Sequence, residues 1–575
     1  MALRSDQWFA HKSDETRLQH RAAMRAGGHV PESFAGKPII GIFNSWNDFN
    51  SCNFPHKELV EYVKRGVYMA GGYPMELHTI TTPSDFMKPS DLPYRNLMAM
   101  DIEEQIRALP IDGVVLLGEC DKTVPAQLMG AASCDLPTLQ LAAGHRASTT
   151  FKGKKVNYGT DLWKYSEERT AGKISEEDWS ELEKCMTCSR GGCPVMGTAS
   201  TMKSVSEMLG VMLPGTSSIP AGHSWRQEAA EATGKRIVEM VNSNLTISKL
   251  LTQEAFDNAI RLLAALGGST NAVIHLTAIA GRLGLQIELD RFAELSKDVP
   301  LLVNLQPSGV GSMDDFFEAG GIQAVIGQIL PLLDGNCLTA LGRTLTEVYG
   351  DGVPIYKTDV ISELEQPIAE KSGIAVLKGN LAPNGAILKV SASKAELHKH
   401  CGPAIVFEDY EAMLDQLDDL DFPVEENSVL LLRYCGPKAI GMPEWGEIPI
   451  PKRLMQQGVR DMVRISDARM SGTSYGTVIL HTSPEAAAGG PIGLVRNGDM
   501  IEVDVEKGML TLHVEESILE ERRKEPLRAG THGARGYMRL TADHILQADQ
   551  GCDFDFLRPD SKKEAVFIPP IVGRG

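Results

Sequence analysis

The chain lacks the features that would mark it for a membrane, a secretory route or a nucleic acid. No apolar run reaches the roughly 18–20 residues that a bilayer-spanning helix needs. The opening Met1-Ala2-Leu3-Arg4-Ser5-Asp6-Gln7 has no apolar stretch of the secretory-signal kind. Together these absences give the expectation of a cytoplasmic protein. Positive charge is in deficit: 57 Lys and Arg face 75 Asp and Glu, for a formal net charge of -18. That balance argues against a diffuse nucleic-acid binder. It also means that an anionic metabolite would need a local source of positive charge, which a bound divalent cation can supply. Internal repeats and low-complexity tracts are missing too, and 43% hydrophobic with 23% charged residues is an ordinary globular balance. Ten cysteines in a reducing compartment point to metal binding or burial rather than disulfides.

At 575 residues the chain exceeds one ordinary core, so more than one domain is expected. The first half alternates short apolar runs with helical periodicity. Pro38–Phe43, Pro74–Ile80 and Val114–Leu117 read as strands. His56–Ala70, with Leu59, Val60, Val63 and Val67 on one face, and Leu97–Leu109 read as helices. Such βαβ units imply a mostly parallel sheet. Lys164–Cys188 is charged and reads as helical, Thr201–Gly210 as a further helix, and helical patterns dominate from Arg226 to Val348. Character changes around Gly379-Asn380-Leu381-Ala382-Pro383-Asn384-Gly385. Short β-rich runs follow, ending in a hairpin that turns at Glu506-Lys507-Gly508. The expected fold is therefore α/β: an N-terminal parallel-sheet domain over 1–380 and a C-terminal β-barrel-like domain over 381–575. The acidic run Asp415–Glu426 reads as a solvated face.

Chemistry-bearing residues gather after the strands. Cys120-Asp121-Lys122 follows Gly113–Gly118, and Cys52 and Asp85 lie in the loops after the other two strands. Ligands in open α/β sheets collect at the carboxyl ends of strands. A thiolate suits iron–sulfur clusters or zinc, and a carboxylate suits magnesium, calcium or manganese, so two metal centres meeting at one site are suggested. Cys193, in Ser189-Arg190-Gly191-Gly192-Cys193-Pro194, is a third loop cysteine. Three thiolates could hold an iron–sulfur cluster with one iron open as a Lewis acid. A free Cys is commonly a small buried hydrophobe, and Cys134 in Ala131-Ala132-Ser133-Cys134 reads as core. Cys185-x-x-Cys188 with Cys193 is a rival metal-knuckle spacing, although it has no fourth ligand nearby. Asp85 and Asp121 are candidate hard-cation ligands, each open to a plain turn-forming role. Lys122 could serve a cation site if neutral or carbamylated; its plain alternative is an ion pair with Asp121. Further on, Cys435–Glu444 is too rich in Gly and Pro for a helix and offers Glu444 as a further ligand. Ser471, in Ser466-Asp467-Ala468-Arg469-Met470-Ser471-Gly472-Thr473, sits in a tight turn. No triad histidine accompanies it, so a basic role would require metals to stabilise its alkoxide.

These motifs resemble, in order and over almost the whole chain, the dihydroxy-acid and 6-phosphogluconate dehydratase family, in its sugar-acid (aldonate) branch. The resemblance is carried by Asn50-Ser51-Cys52-Asn53, Cys120-Asp121-Lys122-Thr123-Val124-Pro125, and Gly192-Cys193 with Gly197-Thr198-Ala199-Ser200-Thr201-Met202. It continues in Gly267-Gly268-Ser269-Thr270-Asn271-Ala272, Gly379–Pro383, Gly436-Pro437-Lys438 with Gly441–Glu444, and Ser466–Gly472. It implies a 2Fe-2S cluster on Cys52, Cys120 and Cys193, and magnesium (Mg2+) on Asp85, Asp121, a carbamylated Lys122 and Glu444. It further implies Ser471 as base, Thr473 near the substrate, and a homodimer or homotetramer. The branch serving branched-chain amino acids differs: it has an acidic residue where this chain has Cys435, and Asp-Gly-Arg-Phe-Ser-Gly where this chain has Asp467–Gly472. Thr81–Met87 likewise replaces its glycine-rich loop. These departures favour a sugar acid as substrate.

The expected activity is dehydration of a 2,3-dihydroxy sugar acid to a 2-keto-3-deoxy acid. The alternatives are a dihydroxy-acid dehydratase of amino-acid synthesis, a cytoplasmic iron–sulfur redox sensor or electron carrier, and a zinc scaffold on Cys185, Cys188 and Cys193.

Overall fold

Two long apolar strands, Ile39–Asn44 and Gly113–Leu117, are buried at every position, as strands covered on both faces must be. In the computed structural model, which describes residues 3–371, 373–528, 530 and 535–559, they form the centre of a four-stranded sheet. Its order is Tyr73–His78, Ile39–Asn44, Gly113–Leu117, Thr138–Leu141, and every pairing is parallel. Parallel pairing puts the loops after Asn44, His78 and Leu117 on one edge, which brings the Cys52, Asp85 and Cys120 loops together.

Helices cover the faces. The helix His56–Met69 crosses Trp225–Ser243 at two glycines. A Cβ on Gly66 would lie 2.0 Å from the Glu231 carbonyl oxygen, and one on Gly234 would lie 2.1 Å from that of Val63. The helix expected from Leu97 begins at Leu92, because Pro93 in its first turn sacrifices no hydrogen bond. The single helical stretch expected over Lys164–Cys188 is two helices, Thr160–Thr170 and Glu176–Cys185. Gly172 at φ +73 breaks the chain between them, and Ser175 caps the second through the Asp178 amide. Against the expectation for Cys435–Glu444, Pro437–Ile440 makes one helical turn, with proline at its start and Gly441 at φ +80 ending it.

The C-terminal part is a nearly closed eight-stranded sheet. Its order is Met509–His513, Met500–Asp504, Lys399–Phe407, Val429–Leu432, Arg464–Ser466, Val478–Ser483, Gly385–Lys389, Ile374–Leu377. The four strands from Lys399–Phe407 to Val478–Ser483 are parallel, and the flanking pairs are antiparallel. Closure comes from the residues after Leu377. The Lys378 amide donates to the Gly508 carbonyl at 2.8 Å and its carbonyl accepts from Leu510 at 2.9 Å. Asn380 then bonds both the amide and the carbonyl of Leu512, at 2.7 and 2.8 Å. Gly379 is required there, since a Cβ would meet the Leu510 carbonyl oxygen at 2.0 Å. Among the described residues no helix is long and apolar enough to cross a membrane.

Gly66→Ala drives a methyl into a backbone carbonyl of the facing helix. It is expected to destabilise the fold by about 1–3 kcal/mol, read as a lowered denaturant midpoint with an unchanged slope.

Candidate active site

A cavity of about 370 Å³ lies where the sheet edge meets the barrel part. Cys52, Cys120 and Cys193 all line it, from three separate loops. Asn53 ties two of these loops: its side-chain oxygen accepts from the amides of Glu119 and Cys120 at 2.9 and 3.0 Å, and its amide group donates to Thr123 at 3.1 Å. The third loop is fastened through Glu119, which is fully buried. Its carboxylate pairs with the equally buried Lys203 at 2.8 Å and accepts from the Gly144 amide at 2.9 Å. Only glycine fits at 192, because a Cβ there would lie 2.1 Å from the Glu119 Oε1. Arg146 completes the framework, donating to the Gly191 carbonyl at 3.0 Å, to Ser51 at 3.2 Å and to the Cys52 sulfur at 3.6 Å. A hydrogen bond from Cys120 and the Arg146 charge, working against burial, hold the Cys52 thiol below its usual range. The same contact pushes Cys120 up, and burial raises Cys193. Cys185 and Cys188 do not line the cavity; Cys188 faces the carbonyls of Ala147 and Ser148.

Oxygen ligands gather on the neighbouring wall. One carboxylate oxygen each from Asp91, Asp121 and Glu444 lies within 4.8 Å of the others. Lys122, fully buried, sits among them: its Nζ is 2.6 Å from Asp121, 3.2 Å from Asp91, and in contact with Glu444. Burial alone would lower the Lys122 pKa, but the three carboxylates carry it above its ordinary value, which is the ion-paired form. Arg469, also fully buried, bridges Glu444 at 2.7 Å and Asp91 at 3.0 Å, and donates to the Met442 carbonyl at 3.0 Å. Against the penalty of burial, Lys122 and Arg469 hold the Asp91 carboxyl down to about 2. For Glu444 burial, together with the neighbouring Asp121 and Asp91 charges, outweighs the same two cations and the pKa rises. Asp85 lines the cavity too, but lies outside the three converging carboxylates and accepts from the Tyr158 hydroxyl at 3.0 Å.

Ser471 reaches the same cavity from a two-residue parallel ladder that pairs Glu444 with Arg469 and Trp445 with Met470. The ladder explains why a carboxylate and a serine 27 residues apart share one wall: the Ser471 amide donates to the Trp445 carbonyl at 2.8 Å. Gly472 lets the turn press against the helix Thr198–Met208, since a Cβ would lie 2.9 Å from the Thr198 amide and 2.6 Å from the Ser269 hydroxyl. Thr473 also lines the cavity, its hydroxyl 2.8 Å from that of Ser471.

Sequence reasoning passed over Asp91, Arg469, Arg146 and the Glu119–Lys203 pair. Asp91 directly precedes Leu92-Pro93, the signature of a helix start, and an Asp there reads as a cap; its side chain caps nothing and turns to Arg469 and Lys122. Arg469 stood inside a quoted motif, two residues before Ser471. For Arg146 and Glu119 the one signal was proximity to the glycine and cysteine loops.

The dihydroxy-acid/6-phosphogluconate dehydratase N-terminal model matches residues 37–348, and the corresponding C-terminal model matches residues 359–552. The chain is 47% identical to an L-arabonate dehydratase of Azospirillum brasilense, covering 96% of this chain and 97% of that protein. It is 44% identical to a 6-deoxy-6-sulfo-D-gluconate dehydratase of Pseudomonas putida, covering 99% and 98%. Identity to a dihydroxy-acid dehydratase of Methanobrevibacter smithii is 38%, over 93% of this chain and 97% of that one.

Glu119→Gln strands the Lys203 ammonium in a fully buried site. A loss of about 3–5 kcal/mol is expected in chemical denaturation. The double variant Glu119→Gln, Lys203→Met, which removes both charges, should recover a large part of it.

Proposed function

Since the chain belongs to the dihydroxy-acid/6-phosphogluconate dehydratase family, we propose that it removes water from a 2,3-dihydroxy sugar acid, an aldonate, to give a 2-keto-3-deoxy acid. The observation that carries this reading is convergence: three thiols, four carboxylates, three of them converging, and the Ser471 hydroxyl line one cavity.

The donor set fits the two groups the family implies. Cys52, Cys120 and Cys193 are a sulfur set of three on one wall, suited to a 2Fe-2S cluster with one iron lacking a protein ligand. Asp91, Asp121 and Glu444 are an oxygen set suited to magnesium. Lys122 already sits among those carboxylates, and carbamylation would turn its amine into a further anionic oxygen ligand. When bound, the cluster supplies a Lewis acid for a departing hydroxyl, and magnesium supplies positive charge for the substrate carboxylate and C2 oxygen.

The chain's own residues do the rest. The Ser471 Oγ, in its alkoxide form, takes the proton from C2. The electrons of that C–H bond form the C2–C3 double bond, and the C3–O bond breaks with its electrons on oxygen. The proton held at Ser471 and the hydroxide released from C3 together account for the water lost. The enol then tautomerises to the 2-keto acid. Arg469 fixes Asp91 and Glu444 in register across the junction of the two parts. Arg146 brings a positive charge to the Cys52 sulfur.

The sugar-acid branch is favoured because the arabonate and sulfogluconate dehydratases stand at 47% and 44% identity, against 38% for the dihydroxy-acid dehydratase. An anaerobic panel of pentonates, hexonates, glycerate and 2,3-dihydroxyisovalerate, scored by 2-keto acid formation, tests it. Turnover of a pentonate or hexonate is expected; turnover of the branched acid alone would place the chain in amino-acid synthesis. Ser471→Ala should lower kcat by about 10²–10⁴-fold while leaving the visible absorption of the cluster unchanged. Asp91→Asn should weaken Mn2+ binding by more than about tenfold in calorimetry, with Asp85→Asn changing it far less.

A further inference from the structure

A serine base is credible only if its oxygen is held ready to carry negative charge, and the helix Thr160–Thr170 supplies such an arrangement. The Trp163 indole Nε1 lies 3.0 Å from the Thr473 Oγ1, which lies 2.8 Å from the Ser471 Oγ. The Thr473 backbone amide also points at the Ser471 oxygen, at 3.3 Å. An indole N–H only donates. It therefore occupies one lone pair of the Thr473 oxygen and leaves the threonine proton free to be given to Ser471. With Ser471 deprotonated the direction is forced, since an alkoxide only accepts. The Ser471 oxygen then receives two donors from one residue, the hydroxyl and the amide of Thr473.

The packing locks both side chains in this arrangement. The Thr473 methyl is gripped between two glycines: a Cβ on either Gly159 or Gly197 would lie 2.9 Å from its Cγ2. Thr160, from the first turn of the same helix, donates to the Thr473 carbonyl at 2.8 Å. The indole ring lies on Gly446, where a Cβ would come within 2.1 Å of its Cη2. With the methyl in the glycine slot, the hydroxyl has one place to go, between Trp163 and Ser471.

We propose that Trp163 is a positioning residue for the reaction: acting through the Thr473 hydroxyl, it orients a second hydrogen bond onto Ser471 and so stabilises the serine in its deprotonated state. The proposal deepens the reading of Ser471 as base and depends on it. No atom of Trp163 is required to touch the C2 proton or to exchange a proton with the substrate.

The test uses anaerobically prepared full-length holoenzyme and the best aldonate of the panel, with cluster absorption and circular dichroism recorded for each variant. Trp163→Phe keeps an aromatic ring and deletes the donor. It is expected to lower kcat by about tenfold or more, with KM within about twofold of the parent. Thr473→Val keeps the shape in the glycine slot and deletes the hydroxyl, and should lower kcat at least as much. Thr473→Ser keeps both donors but loses the methyl that fills the slot, and should retain clearly more kcat than Thr473→Val. A Trp163→Phe enzyme with parental kcat, or one whose defect lies in KM, overturns the proposal, as does Thr473→Ser failing as badly as Thr473→Val. If Trp163→Phe does not fold, the two Thr473 variants decide alone. Retained turnover in Ser471→Ala would instead overturn the base reading itself. A dead Ser471→Ala beside normal Trp163→Phe and Thr473→Val would sink this inference and leave that reading standing.

Discussion

Arg469 is the contact on which the site depends. A fully buried guanidinium costs several kcal/mol to desolvate unless its donors are met. Here they are met by Asp91 from the sheet-edge side and by Glu444 and the Met442 carbonyl from the barrel side. Lys122 does the same from the opposite direction, reaching Asp91, Asp121 and Glu444. Three carboxylates thus converge on two buried cations. Under the proposed function, these converged oxygens are where a further cation would be held. The same contacts fasten the two parts of the chain to each other.

The charge pattern of the whole chain becomes intelligible at this scale. A protein with a formal charge of -18 is a poor general host for an anion. Four of its positive groups stand at the site: Arg146 at the Cys52 sulfur, Lys122 and Arg469 among the carboxylates, and Lys203 behind Glu119. Each is nearly or fully buried, so solvent and salt screen it little. The cysteines and carboxylates occupy adjoining walls of one cavity, and Ser471 faces both, its hydroxyl held by Thr473.

Much of this could be read from the sequence, for physical reasons. Strand-end loops are where an open α/β sheet gathers its ligands, so Cys52, Cys120 and Asp121 could be placed on one edge from apolar runs alone. The barrel strands stood out because each is short, apolar and bounded by turn residues. What stayed hidden depended on contacts between distant segments. Asp91 looked like a helix cap, and only the fold turns it toward Arg469. Barrel closure rests on the backbone of Lys378 and on Asn380, which no periodicity marks. The break at Gly172 and the proline-started turn at Pro437 are local signals, masked by the charged composition in the one case and by the glycine content in the other.

The central claim is that a sulfur-held iron group and an oxygen-held cation share one cavity. It is tested most directly by electron paramagnetic resonance of the reduced, air-protected protein, titrated with Mn2+ in place of magnesium. The expected result is an iron–sulfur signal that loses amplitude and relaxes faster as one equivalent of Mn2+ binds, because the two spins lie on adjoining walls. An iron–sulfur signal untouched by stoichiometric Mn2+, or protein that is free of iron yet fully active, would contradict it.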